Sequence, residues 1–168
     1  MNPFYFASKH KSAFLANMAA RLRDIINDDC SVLLKEREIT TPITDISLMM
    51  FISESKNPSI AEIANALDYS HQRTSARVLT IEKLGLIRRV VDKKDSRCQR
   101  VALTEAGKTD FKKLQKVLEA ASEVMDKVIA EEGVDIMQSI QNIVSTIKRH
   151  PISEQISEFD SSHDSSRG

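Results

Sequence analysis

Between Ser70 and Arg100 the chain carries nine Lys and Arg residues (Arg73, Arg77, Lys83, Arg88, Arg89, Lys93, Lys94, Arg97 and Arg100) against three acids, Glu82, Asp92 and Asp95. The whole chain has no net charge, with 24 basic and 24 acidic residues. An excess of six positive charges in one short stretch of a neutral chain is the electrostatic footprint of a face that binds a polyanion. Other chemistry finds little to work with. The sequence has no glycine-rich phosphate loop, HExxH pair, nucleophile elbow or cluster of His, Asp and Glu, so an enzyme is not expected. Cys30 and Cys98 have neither a disulfide framework nor a metal-ligand spacing. Cys30 falls on an apolar stripe and reads as a core thiol, and Cys98 reads as an inert strand residue. His10, His71, His150 and His163 are scattered, so neither a metal nor a cofactor is expected.

The elements that must carry this charge are mostly helical. Four Gly and four Pro in 168 residues are few for a β protein, and 41% hydrophobic residues with no Trp suffice for an aliphatic core. No apolar run approaches the roughly 18 residues of a membrane span. The first ten residues lack a secretory leader pattern, so a cytoplasmic location is expected.

Leu15, Met18, Leu22, Ile26, Cys30 and Leu33 recur at helical steps, predicting one helix over about 8–36. A second follows over 43–54, with Ile46, Met49, Met50 and Ile52 inward, and Asn57-Pro58 ends it. Ser59 and Glu62 have the spacing of a capping box and open a short third helix. Asp68-Tyr69 makes a tight turn, and Ser70 caps a fourth helix that stops at Gly85, with Thr74, Val78, Ile81 and Leu84 inward. Two helices joined so closely form a helix-turn-helix. Leu86 to Val91 and Cys98 to Leu103 then read as a β-hairpin with a charged tip. Thr104 caps a long helix on which Phe111, Leu114, Leu118, Ala121, Met125 and Val128 form a heptad stripe. After Gly133 a last helix over 134–148 carries Met137, Ile140, Val144 and Ile147 on one face. The segment 151–168, rich in Ser and acids, is expected to be disordered.

The run Gly85-Leu86-Ile87-x-Arg89, Asp92-x-x-Asp95-x-Arg97 and Val101-x-Leu103-Thr104-x-x-Gly107 resembles the MarR family of winged helix-turn-helix regulators. The resemblance extends over roughly residues 10–148. It implies a mainly α fold with a small β-hairpin wing, flanked by N- and C-terminal dimerisation helices. The expected divisions are 1–57 for the N-terminal helices, 58–104 for the DNA-binding region, 105–150 for a C-terminal helical hairpin and 151–168 for the tail.

A helix fits the major groove and reads bases with its N-terminal side chains. On that basis Ser70, His71, Gln72, Arg73, Ser75 and Arg77 are the candidate recognition residues. Gln72 suits adenine and Arg73 or Arg77 suits guanine, although each Arg is as well suited to phosphate. Arg77 stands where an apolar residue is expected, which leaves its direction open. In the wing, Arg89, Lys93, Lys94, Asp95 and Arg97 are the candidates, with both lysines placed to neutralise phosphates. The resemblance implies that Arg97 enters the minor groove while Asp95 braces the hairpin. It also implies a homodimer on a pseudo-palindromic duplex operator, through Leu15, Leu22, Leu114, Leu118, Met125, Ile140 and Val144. The function so implied is a transcriptional repressor released by a small effector, often an aromatic acid in this family, with no membrane partner. The rival reading is a winged-helix protein-interaction module without sequence-specific DNA binding.

Overall fold

The computed structural model describes residues 4–91 and 99–164. It divides into two compact units, Met1–Glu119 and Ala120–Gly168. The first begins with a short helix α1 (Phe4–Ala7), a 3-10 turn and the long helix α2 (Leu15–Glu36). Helices α3 (Ile46–Glu54), α4 (Ile60–Leu67) and α5 (His71–Lys83) follow, then strands β1 (Ile87–Val91) and β2 (Gln99–Leu103) and the first part of α6 (Glu105–Glu131). The second unit holds the rest of α6, α7 (Ile136–Arg149) and α8 (Ile152–Asp164).

Local chemistry sets the boundaries of the central elements. The Ser59 hydroxyl accepts the Glu62 N–H at 3.2 Å while the Glu62 carboxylate accepts the Ser59 N–H at 2.6 Å, completing the capping box of α4. Asp68 ends that helix in the left-handed region at φ 54°, a conformation its short polar side chain tolerates. The Tyr69 N–H then returns to the Ala64 carbonyl at 2.9 Å. Ser70 caps α5 by accepting the Arg73 N–H at 3.2 Å, and Gly85 at φ 73° turns the chain off its end.

β1 and β2 pair antiparallel, with Ile87 opposite Leu103 and Val91 opposite Gln99. The Val101 N–H also donates to the Pro58 carbonyl at 2.8 Å, so β2 is anchored on both edges. The core beneath the hairpin joins Leu48, Met49, Ile63, Val78, Ile81, Val101 and Leu114. Each is sealed from solvent, and burial of such side chains stabilises by about 1.5–3 kcal/mol apiece.

α6 is seated by Thr104. Its hydroxyl donates to the Gly85 carbonyl at 2.6 Å and accepts the Gly107 N–H at 2.9 Å, while its own N–H donates to the Leu86 carbonyl at 3.0 Å. One turn on, Lys108 bonds Glu105 at 2.7 Å and holds that carboxyl below its ordinary range.

Three expectations need correction. Met50 and Leu84, predicted inward, are each 42% exposed. α3 is apolar almost all round, so periodicity could not choose its buried face, and Leu84 sits where the chain is already leaving α5. The supposed disordered tail contains the 13-residue helix α8. Ile152, Ile156 and Phe159 recur at helical spacing within the Ser-rich segment, and the Pro151 carbonyl accepts the Glu154 and Gln155 N–H groups at 3.0 and 3.2 Å.

Candidate nucleic-acid interface

The first turn of α5 projects a polar edge into solvent. Ser70, His71, Gln72 and Arg73 are exposed and Ser75 is half-buried. Thr74 points the other way: it is sealed in the core, and its hydroxyl donates to the Ser70 carbonyl at 3.1 Å. This split leaves four successive side chains at one helix end able to meet a groove edge.

Two of the candidate residues make bonds within the protein. Arg77 turns back onto the start of α3, donating to the Asp45 carboxylate at 2.8 Å and to the Thr44 carbonyl. Asp45 is only 5% exposed, so the pair is a brace between α3 and α5 rather than a pair of solvated charges. Arg89 is likewise engaged within the protein, donating to Glu82 at 3.1 Å and to Gln99 at 2.7 Å. It ties the wing to the C-terminal half of α5. The physical reason is shared: in each case an acid reaches the guanidinium from a neighbouring element.

Tyr69, expected only as part of a turn, lies against two of the candidate arginines. The Arg73 guanidinium lies 4.3 Å from its ring centroid and that of Arg77 lies at 5.2 Å. The available signal was an aromatic residue directly before a helix cap whose first turn carries an arginine. Arg100 on β2 ties the wing to the start of α4, donating to the Asn57 carbonyl at 3.0 Å and to Glu62 at 3.2 Å. Lys93, Lys94, Asp95, Arg97 and Cys98 lie outside the described residues.

A second overlooked acid fastens this assembly from behind. Asp110 on α6 is buried, and its carboxylate accepts the Thr40 N–H at 2.6 Å, the Thr41 N–H at 3.1 Å and the Thr41 hydroxyl at 2.6 Å. The segment so held leads directly to Asp45. Its signal was an acid set among the buried positions Gly107, Leu114 and Val117 of the helix.

The residues expected at a dimer interface divide. Leu15 and Leu22 on α2 are about half exposed, as are Ile140 and Val144 on α7, and Met125 on α6 is 36% exposed. Leu114 is not available to a partner, because it is wholly enclosed in the core of its own chain. Leu118 packs partly against the same core. The heptad stripe thus changes role along α6, filling the core at its start and lying open further on.

Two clefts flank the first half of α6. One, of about 470 Å³, is lined by Leu84, Leu86 and Ala106 together with Glu105 and Lys113. The other, of about 460 Å³, is lined by Arg37, Lys112, Lys113 and Lys116 with Glu38. Among the described residues there is no group of His, Cys, Asp and Glu able to hold a metal, and no helix long and apolar enough to cross a membrane.

Residues 40–97 match the MarR family model. Among solved structures, the chain is similar to the M. tuberculosis transcriptional regulator MOSR in complex with DNA, with a TM-score of 0.63, 20% identity, and 82% of this chain and 98% of that one covered. It is similar to the transcriptional repressor CouR bound to a 23-mer DNA duplex, with a TM-score of 0.62, 18% identity and coverage of 83% and 96%. The S. aureus MepR–DNA complex gives 0.60, 15% identity and coverage of 80% and 95%. At such identities the likeness is one of fold. No curated protein matches in sequence. The family match spans the segment from the loop before α3, through α4 and α5, and past β1, and over these residues the chain is similar to the MarR family.

Proposed function

We propose that this protein is a homodimeric repressor that binds a pseudo-palindromic duplex operator and is released by a small ligand. The observation that carries the reading is the exposed run from Ser70 to Arg73 at the capped end of α5, held rigidly by the Asp45–Arg77 brace. Rigid placement matters because base readout tolerates little error in helix position. Three of the similar structures are DNA complexes, one of them of a named repressor. Lys93, Lys94 and Arg97 in the wing would add phosphate and minor-groove contacts. A small organic acid would find counter-charge in the cleft between Arg37 and Lys116.

Dimerisation is supported by the open apolar face of α7, where Met137, Ile140, Val144 and Ile147 lie between 37% and 67% exposed in the single chain. Covering such a face removes apolar area from water at about 25 cal/mol per Å². Ile140→Glu tests both halves of the reading. An exposed position tolerates a charge with a change of about 0.5 kcal/mol in the protomer, so the variant should stay folded. In sedimentation it should run as a monomer, and its affinity for a two-half-site duplex should fall at least about tenfold. A variant that remains dimeric with full affinity would place the interface elsewhere.

A further inference from the structure

The aromatic ring beneath the recognition arginine has a role that the fold alone does not demand. Tyr69 stands immediately before the α5 cap, its backbone fixed by the bond to the Ala64 carbonyl and by the left-handed Asp68 that precedes it. Its ring meets two guanidinium groups, Arg73 at 4.3 Å and Arg77 at 5.2 Å. These two arginines differ in their commitments. Arg77 spends donors on Asp45 and the Thr44 carbonyl. Among the described residues Arg73 makes no side-chain hydrogen bond to protein, and it is exposed.

A guanidinium directs its N–H donors within its own plane. Contact with the ring holds the group by its charge and face, and so leaves the donor fork free. Guanine offers the O6 and N7 acceptors in the major groove to such a fork. A long, flexible Arg side chain otherwise loses rotamer freedom on binding, so prior restraint raises affinity and selectivity. We propose that Tyr69 is a positioning residue that pre-orients Arg73 to read guanine, while Arg77 is committed to the scaffold by Asp45. The proposal rests on the DNA-binding reading above.

The test uses the full-length protein and duplexes selected from a random pool by the wild type. Each guanine is replaced in turn by 7-deazaguanine, which lacks the N7 acceptor. The wild type should lose affinity at least about fivefold at one guanine per half-site, and Arg73→Ala should abolish that penalty. Tyr69→Leu should shrink the penalty about two- to fivefold, whereas Tyr69→Phe, which keeps the ring, should preserve it. A ring that merely supports the fold would lower affinity for modified and unmodified duplex alike and leave their ratio unchanged, which overturns the proposal. A wild type with no sensitive guanine overturns it too. If Tyr69→Leu does not fold, Tyr69→Met keeps the bulk without the ring and is read in the same way. A wild type that selects no duplex overturns the DNA-binding reading and this inference together.

Discussion

Gly107→Ala should lower the stability of the protein by about 3 kcal/mol, toward the upper end of overpacking costs, and its melting temperature by roughly 10 °C. A Cβ at this position would lie 1.8 Å from the Leu86 carbonyl oxygen and 2.8 Å from its carbonyl carbon. Both are backbone atoms, so no side chain can swing aside. The same oxygen accepts the Thr104 N–H, which ties the start of α6 to the residue entering β1. Alanine is the better helix former by about 1 kcal/mol, but this gain is too small to offset the collision. Relief requires α6 to back away from Leu86, which loosens the root of the wing. Thermal unfolding followed by circular dichroism measures the effect. An unchanged or raised melting temperature would mean that α6 shifts freely, and that its close approach to Leu86 does not hold the wing.

Asp110→Ala should cost about 4 kcal/mol, since hydrogen bonds to a charged group contribute about 1.5–3 kcal/mol each and lost partners leave buried donors stranded. The three donors are the two backbone N–H groups and one hydroxyl of Thr40 and Thr41. Thr41 is only 2% exposed, so water cannot readily replace the carboxylate there. Asp110→Asn keeps one accepting oxygen but turns an NH₂ toward a donor, and should recover less than half of the loss. The consequence reaches α5 through a short chain of contacts. Asp110 holds residues 40–41, these lead into the turn Ile43–Asp45, and Asp45 holds Arg77 on α5. Denaturant unfolding of both variants gives the energies. A loss under about 1 kcal/mol for Asp110→Ala would show that the loop is held by its apolar neighbours instead.

What could be read in advance depended on how local the physics was. The Ser59–Glu62 box, the Ser70 cap, the turn at Asp68 and the stop at Gly85 are each decided within a few residues, and the structure has all four. The hairpin was legible for the same reason, from two β-prone runs around a charged turn. Arg77 and Arg89 were harder, because their fates depend on Asp45 and Glu82, which only the folded chain brings near. The stripe on α6 was visible as a stripe, but nothing in its spacing says that Leu114 is enclosed while Val128 is half exposed. α8 was missed because the abundance of Ser and acids in that segment masked the apolar positions Ile152, Ile156 and Phe159. Composition averages over a segment, whereas a helix needs only one face.

In the proposed function the α5 edge and the wing together read a specific duplex. Fluorescence anisotropy tests it most directly, with labelled duplex from upstream of the protein's own gene against a scrambled duplex at 50 and 200 mM salt. The expected result is a preference of about a thousandfold or more for one sequence, with affinity for both duplexes falling steeply as salt rises. Equal binding of the two duplexes that barely responds to salt would contradict it, and would favour a winged-helix module that docks on protein.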